Sequence, residues 1–167
     1  MNGIIIYKSA CGSTKEYAEW ISGELGFETV ALADTGNLDL STYDVIIAGS
    51  LIVASRMATG KWIVKNWEKI KDKKIVLFSA SGAKPDDATK KEFLDKSLPP
   101  EIARQVTYFP MHGRRRQKDL SFTARLMMWI AATFIAKNEQ EKEDMRKDFD
   151  GVDRNYIEPL VAHVRSL

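Results

Sequence analysis

Short apolar runs alternate with amphipathic stretches along the first two thirds of the chain. Residues 4–6 are three isoleucines, residues 45–49 read Val-Ile-Ile-Ala-Gly, and residues 75–78 read Ile-Val-Leu-Phe. Continuous apolar runs of this length are typical of strands that are buried on both faces of a parallel sheet. The pattern therefore predicts strands at these three places. Two further strands are predicted over residues 28–33 and 105–109.

Helical periodicity fills the gaps between these strands. Tyr17, Ala18, Ile21 and Leu25 share one face of a helix that follows the first strand. Further helices are predicted over residues 61–70, 87–96 and 152–164, and two prolines at 99–100 are expected to break the chain. Strands that alternate with helices predict an α/β fold, a doubly wound five-stranded parallel sheet. At 167 residues, the chain is expected to form a single domain, 1–167.

The regular alternation stops after residue 110. Residues 112–118 predict a basic loop, residues 122–136 an unusually apolar helix, and residues 137–150 a highly charged stretch. The helix is too short to cross a bilayer, which takes about 20 apolar residues. It is therefore interpreted as buried core, as the face of a homodimer, or as an interfacial anchor that touches the membrane peripherally.

Composition argues against a nucleic-acid-binding or zinc-binding protein and bears on its cellular location. The formal net charge of +2 is too small to indicate a nucleic-acid partner, and no zinc or nucleic-acid motif is present. One cysteine permits no internal disulfide, and the N-terminus leads directly into the isoleucine run without a basic leader. These features favour a cytoplasmic protein, with membrane association kept open by the apolar helix.

The turn between the first strand and the first helix is the strongest candidate site. Residues 7–14 read Tyr-Lys-Ser-Ala-Cys-Gly-Ser-Thr, with no carboxylate between residues 8 and 14. Such a turn directs backbone N–H groups and the positive end of a helix dipole at one point, which suits a phosphate. The candidate phosphate-binding residues are Ser9, Ala10, Cys11, Gly12, Ser13 and Thr14.

Spacing excludes several other phosphate sites at this turn. The nucleotide P-loop and the dinucleotide fingerprint both need glycines that are absent. A tyrosine phosphatase would place an arginine six residues after a catalytic cysteine, and that position holds Tyr17. A plain capped helix start stays open, because Ser13 and Glu16 have the spacing of a capping box. Cys11 is interpreted as a small packing residue, since no histidine is placed to activate it.

Two further segments are expected at the same edge of the sheet, because ligands of open parallel sheets bind beyond the carboxyl ends of the strands. The second is a predicted loop over residues 50–59, and the third is the turn over residues 79–83. Their small, hydroxyl and apolar side chains suit a flat ring system and do not suit a metal. The candidates are Ser50, Leu51, Ile52 and Val53 in the second segment, and Ser81, Gly82 and Ala83 in the third.

The motif Tyr7-x-Ser9-x-x-Gly12-Ser13-Thr14-x-x-x-Ala18 resembles the FMN-phosphate loop of the flavodoxin family. The resemblance implies non-covalent FMN, with the phosphate in the first turn and the ring between the second and third segments. Residues 43–50 also resemble the family. Relatives then carry an aromatic residue and, two positions on, a glycine, where this chain has Val53 and Ser55. The stacked ring of relatives, and the backbone freedom that their glycine gives beside the flavin, are therefore not expected here. Met57 and Trp62 are interpreted as core residues, and the alternative is that one of them covers the ring instead.

Residues 111–138 and 149–160 resemble one flavodoxin-like branch, which includes menaquinone-dependent protoporphyrinogen oxidases. The resemblance implies electron transfer to a redox partner protein or a quinone. The alternative that it implies is a menaquinone-dependent protoporphyrinogen IX oxidase (dehydrogenase) of heme biosynthesis. Arg114, Arg115 and Arg116 would then meet porphyrinogen carboxylates, lipid headgroups or an acidic partner, unless they are a solvated surface run. His112 and His163 are assigned to the surface or to helix ends. No side-chain acid–base catalysis is indicated, because the flavin itself would carry the redox chemistry.

Overall fold

The computed structural model describes residues 1–116, 118, 126 and 147–167. Its strands are β1 (Gly3–Lys8), β2 (Glu28–Ala31), β3 (Val45–Val53), β4 (Arg56–Met57), β5 (Lys74–Ser81), β6 (Thr107–His112), β7 (Arg114–Arg115) and β8 (Phe149–Asp150). Its α-helices are α1 (Ser13–Leu25), α2 (Gly60–Ile70), α3 (Asp87–Ser97), α4 (Pro100–Ala103) and α5 (Glu158–Arg165). Short 3-10 segments lie at Leu32–Asn37, Leu40–Thr42 and Arg154–Ile157.

Five parallel strands form the main sheet in the order β2-β1-β3-β5-β6. This order confirms the predicted doubly wound α/β fold. The chain moves outward from β1 to β2 and then returns to the other side of β1, so the winding direction reverses between β1 and β3. Ligands of open α/β sheets bind at such a reversal, beyond the carboxyl ends of the strands.

Apolar layers cover both faces of the sheet. Successive side chains of a strand point to opposite faces, so the isoleucine run of β1 serves both layers. Ile5 packs in a cluster that includes residues of α1 and α5. Ile4 and Ile6 pack in a second cluster that includes residues of α2 and α3. All three isoleucines are fully buried, which confirms the interpretation of their run as a central strand.

The second predicted loop is wrong in its bounds, because β3 continues through Val53 instead of ending at residue 49. Ala54 and Ser55 turn the chain with φ angles of 48° and 59°, and β4 then pairs back onto β3. Two consecutive left-handed residues form the tight hairpin turn that matches the twist of the strands. β-branched Ile52 and Val53 favour the extended backbone, so this segment is a hairpin.

Other boundaries differ by a few residues. β5 runs through Ser81, so part of the third predicted turn is strand, and β2 ends at Ala31 because a 3-10 turn follows. The prolines at 99–100 end α3 and also begin α4, since proline is well suited to the first helical turn. The closing helix begins at Glu158, later than predicted, after a 3-10 turn.

The predicted basic loop is wrong in part, because Arg114 and Arg115 lie in a second, two-stranded sheet. β7 and β8 pair antiparallel, with Arg114 opposite Asp150 and Arg115 opposite Phe149. We call these four residues the clasp. Apart from residues 126 and 147–150, the predicted apolar helix over 122–136 and the charged stretch over 137–150 lie outside the described residues. Within the described ranges, no helix is both long enough and apolar enough to span a membrane.

Tyr17 joins three parts of the chain below the carboxyl edge of the sheet. Its side chain is fully buried. Its hydroxyl donates to the His112 carbonyl at 2.7 Å and accepts from the Asp153 N–H at 3.1 Å. Burial raises the pKa of Tyr17 to about 12. The hydroxyl therefore connects α1 to the end of β6 and to the segment that follows the clasp.

We expect Tyr17→Phe to lower the free energy of unfolding by about 1–3 kcal/mol, because the part-buried His112 carbonyl and Asp153 N–H both lose their partner. Denaturant unfolding would measure this loss. Tyr156→Phe is the control, since that ring packs partly buried against the same core. The raised pKa adds a second readout. A tyrosine that ionises later when folded loses its stabilising contribution as the pH rises from about 10 to 12, so the variant should lose less stability over that window. Equal pH slopes and unchanged stability would contradict the prediction.

Candidate functional site

The turn over residues 9–12 leaves the N-terminus of α1 open. Gly12 is the residue that precedes the helix, and its φ of 85° lies in the left-handed region that favours glycine. No side chain in the described ranges caps this helix end. The predicted capping box is therefore wrong, because Ser13 is already the first helical residue. The first N–H groups of a helix have no partner within the helix, so here they are available to an anion.

Ser9 adds an unpaired hydroxyl to the same turn. Its Oγ is buried and has no hydrogen-bond partner among residues 1–116, 118, 126 and 147–167. Leaving a buried polar group unpaired typically costs about 1–3 kcal/mol. Ser13 and Thr14 are both buried at the start of α1, beside this turn. A buried hydroxyl without a partner and an uncapped helix end fit a phosphate monoester.

The sheet brings the three predicted segments to one edge. Lys8, the last residue of β1, lies opposite Ser50 of β3, and Ser50 lies opposite Ser79 of β5. Neighbouring strands are about 4.8 Å apart, so the first turn, the second segment and the third turn begin side by side. This row lies at the reversal between β1 and β3, where a ligand is expected.

The Ser50 hydroxyl forms its hydrogen bonds within the protein. It is fully buried, and its Oγ donates to the Leu51 carbonyl at 2.8 Å and accepts from the Thr59 N–H at 3.2 Å. The bond to Thr59 joins the second half of β3 to the residue that precedes α2. The rest of the second segment is more open, with Leu51 and Ile52 partly exposed and Val53 exposed by 51%. The hairpin thus offers apolar side chains to a ligand and little polar chemistry.

The third turn closes locally and lies under the clasp. The Ala83 N–H donates to Ser81 Oγ at 3.2 Å. A Cβ on Gly82 would come within 2.8 Å of the Phe149 ring, so glycine at this position gives the ring room. His112, predicted at the surface or at a helix end, instead lies partly buried in β6 with its ring against Phe149. His163 lies in the last turn of α5, as predicted.

A cleft of about 610 Å³ opens on the β2 side of the first turn. The cleft is lined by residues of the first turn and its flanks, Tyr7, Lys8, Ser9, Ala10, Gly12 and Lys15. Residues 31–33, at and just after the end of β2, line its other side. Its lining includes no residue of the second or third segment. Of the three segments, only the first turn lines the cleft. The first turn therefore lies between the cleft and the other two segments.

The three arginines have partners within the protein. Arg114 donates from Nη1 to Glu16 Oε2 at 2.7 Å and from Nε to Asp150 Oδ2 at 2.6 Å. Arg116 donates to the same Asp150 oxygen at 3.2 Å. Hydrogen bonding from Arg114 holds the pKa of Asp150 below its ordinary value. Because of these pairs, Arg114 and Arg116 offer less positive charge to the carboxylate of a ligand than the sequence suggests.

Arg115 lies over an aromatic ring at the clasp. Its guanidinium carbon is 5.0 Å from the centre of the Phe149 ring, and it donates twice to the Lys147 carbonyl, at 3.0 Å and 2.8 Å. Burial lowers the pKa of Arg115, while Asp148 and Cys11 act in the opposite direction. The bond from Arg114 to Glu16 places the clasp beside the start of α1, next to the first turn.

The sequence alone did not reveal Glu16, Phe149 or Asp150 as neighbours of the site. Glu16 is predicted only as half of a capping box, and its partner Arg114 lies 98 positions away. Phe149 and Asp150 belong to a stretch whose only signal is its resemblance to relatives. Contacts at such separations come from strand pairing, which local periodicity does not reveal.

A flavodoxin domain model matches residues 4–146, which is most of the chain. The chain belongs to the flavodoxin domain family. The match extends from β1 through the first turn, the β3–β4 hairpin and the third turn. No curated protein is significantly similar to this flavodoxin domain in sequence.

Solved structures with the same fold come from archaea and bacteria. A flavodoxin from the domain Archaea is 19% identical over 81% of this chain and 100% of its own, with a TM-score of 0.50. A flavodoxin, WrbA-like protein from Agrobacterium tumefaciens is 17% identical over 99% and 98%, with a TM-score of 0.50. The Trp repressor binding protein from Bacillus subtilis is 14% identical over 83% and 100%, with a TM-score of 0.53. At these identities the likeness shows the fold alone.

Proposed function

We propose that this flavodoxin domain binds FMN non-covalently at the carboxyl edge of its sheet and transfers electrons. One observation carries the proposal: the buried, unpaired hydroxyl of Ser9 lies beside the uncapped N-terminus of α1, at the reversal between β1 and β3. A phosphate monoester suits this combination better than a neutral ligand, because it accepts several hydrogen bonds and is attracted to the helix dipole.

The first turn would hold the FMN phosphate. The N–H groups of residues 13–15 and the Ser9 hydroxyl would donate to it, and Lys8 and Lys15 would add positive charge at the adjoining cleft. The space beside Gly12 is open, since a Cβ at that residue would meet nothing within 4 Å. Donors that are already in place need no reorganisation when an anion binds.

The β3–β4 hairpin and the third turn would flank the flavin ring. Leu51, Ile52 and Val53 offer apolar surface that excludes water, and the third turn offers backbone groups. FMN, when bound, supplies reversible electron transfer, and the surrounding polarity and hydrogen bonding set its potential. The exposed Val53 edge of the hairpin is where a redox partner protein or a quinone would approach.

No contact in the described ranges favours porphyrinogen oxidation over simple electron transfer. That alternative depends on arginines that are available to substrate carboxylates. Arg114 and Arg116 instead share Asp150, and Arg114 also binds Glu16. Electron transfer without a dedicated tetrapyrrole site is therefore the function that the geometry supports best.

The first test is an absorption spectrum of the purified protein before and after addition of FMN. We expect a flavin spectrum, with FMN identified after release by denaturation. Titration should show that FMN binds more tightly than riboflavin, because riboflavin lacks the phosphate that the first turn is suited to hold. A colourless protein that binds neither flavin would refute the proposed cofactor. Equal affinity for both flavins would refute the assigned phosphate site.

A further inference from the structure

Glu16 creates an electrostatic problem for the proposed phosphate site. It lies in the first turn of α1, and its N–H donates to the Gly12 carbonyl at 2.9 Å. A carboxylate at this end of a helix interacts favourably with the helix dipole. The same carboxylate repels a phosphate dianion that binds the neighbouring N–H groups. A site for FMN therefore needs this negative charge to be neutralised or directed away.

Arg114 meets that need. Its Nη1 lies 2.7 Å from Glu16 Oε2, and the arginine side chain is only 16% exposed. Partial burial weakens solvent screening, so this pair is stronger than an ordinary surface ion pair. Hydrogen bonding to Asp150, followed by interaction with Glu16, raises the pKa of Arg114. An arginine guanidinium is charged at any physiological pH, so it neutralises the carboxylate that it contacts.

Backbone hydrogen bonds hold Arg114 in this place. The preceding residue, Gly113, donates its N–H to the Ser81 carbonyl at 2.7 Å, and its own carbonyl accepts from the Gly151 N–H at 3.0 Å. β7 then pairs with β8 in the clasp. Arg114 is therefore anchored to the third turn on one side and to β8 on the other, while its side chain reaches the helix that follows the first turn.

We propose that Arg114 is a positioning residue for the FMN phosphate, acting through Glu16. By neutralising the Glu16 carboxylate, it keeps the first turn attractive to a dianion, and it couples the clasp to flavin binding. This inference rests on the proposed function. The effect of Arg114 acts on the phosphate group alone, so a flavin without a phosphate is bound independently of Arg114.

The test compares FMN and riboflavin dissociation constants, measured by flavin fluorescence titration, in variants at both positions. Arg114→Gln should weaken FMN binding about tenfold or more, because it leaves Glu16 uncompensated beside the phosphate, and should change riboflavin binding less than threefold. The double variant Glu16→Gln with Arg114→Gln should recover most of the FMN affinity, since both charges are then gone.

Glu16→Gln alone tests the same charge effect without removing the arginine. Arg114 keeps its bond to Asp150, so the fold is retained and FMN binding should tighten about threefold, with riboflavin binding unchanged. This variant also decides the question if Arg114→Gln fails to fold. Weaker FMN binding by Glu16→Gln would overturn the proposal.

Equal losses for FMN and riboflavin in Arg114→Gln, with no recovery in the double variant, would also overturn it and would make Arg114 a purely structural part of the clasp. These outcomes differ from a failure of the proposed function. In that case the unaltered protein itself would bind neither flavin.

Discussion

An aspartate in place of Ala10 is expected to weaken FMN binding at least a hundredfold while leaving the fold intact. Ala10 is exposed in the first turn and lines the adjoining cleft, so the larger side chain needs no repacking. Two unit charges about 5 Å apart repel by about 3 kcal/mol at an effective dielectric constant of 20, which exceeds a hundredfold in affinity. Fluorescence titration with FMN would measure the loss.

Ala10→Asn is the matched control, because it has nearly the same shape without the charge. It should reduce FMN affinity by less than tenfold. Riboflavin should bind the aspartate and asparagine variants with similar affinity, since it carries no phosphate to repel. If Ala10→Asp binds FMN as tightly as the unaltered protein does, the phosphate does not lie in this turn.

Gly113→Ala is expected to lower the free energy of unfolding by about 3 kcal/mol, the upper range for an overpacked site. A Cβ at this buried residue would lie 2.9 Å from the Ser81 nitrogen and 3.1 Å from the Ala80 carbonyl carbon. Both are backbone atoms of β5, so relief requires the sheet edge or the clasp to move. The Gly113 N–H bond to the Ser81 carbonyl would be strained at the same time. Denaturant unfolding would measure the change.

Gly23→Ala is the control for that substitution. Gly23 is exposed in α1, and a Cβ there meets nothing within 4 Å. Alanine inside a helix is favoured over glycine, so this variant should gain about 0.5–1 kcal/mol. Unchanged stability in Gly113→Ala would show that Gly113 does not pack against the backbone of β5 as described.

Local pattern explains which parts of the fold are predictable from the sequence. The runs that became β1 and β5 and the amphipathic face of α1 depend on side chains a few positions apart, so their periodicity reveals them. The β3–β4 hairpin was missed because Ala54 and Ser55 carry no glycine or asparagine signal for a left-handed turn. Without a recognisable turn, the sequence gives no sign that β3 continues past residue 49 to Val53.

The site divides in the same way. The first turn is predictable, because small and hydroxyl residues between a buried strand and a helix suit a phosphate on local grounds. The ion pair between Glu16 and Arg114 joins residues far apart along the chain, and only the pairing of β7 with β8 brings them together. Electrostatic balance at the turn is therefore a tertiary property, and no spacing rule could supply it.

The clasp holds together two positions that are far apart along the chain. Arg115 lies opposite Phe149, although 34 positions separate them in the sequence. The entropy of closing a loop grows only slowly with its length, so pairing two strands at this separation costs little more than pairing strands that are closer in sequence. A late segment of the chain can thus contribute Asp150 and Phe149 beside the first turn at a small entropic cost.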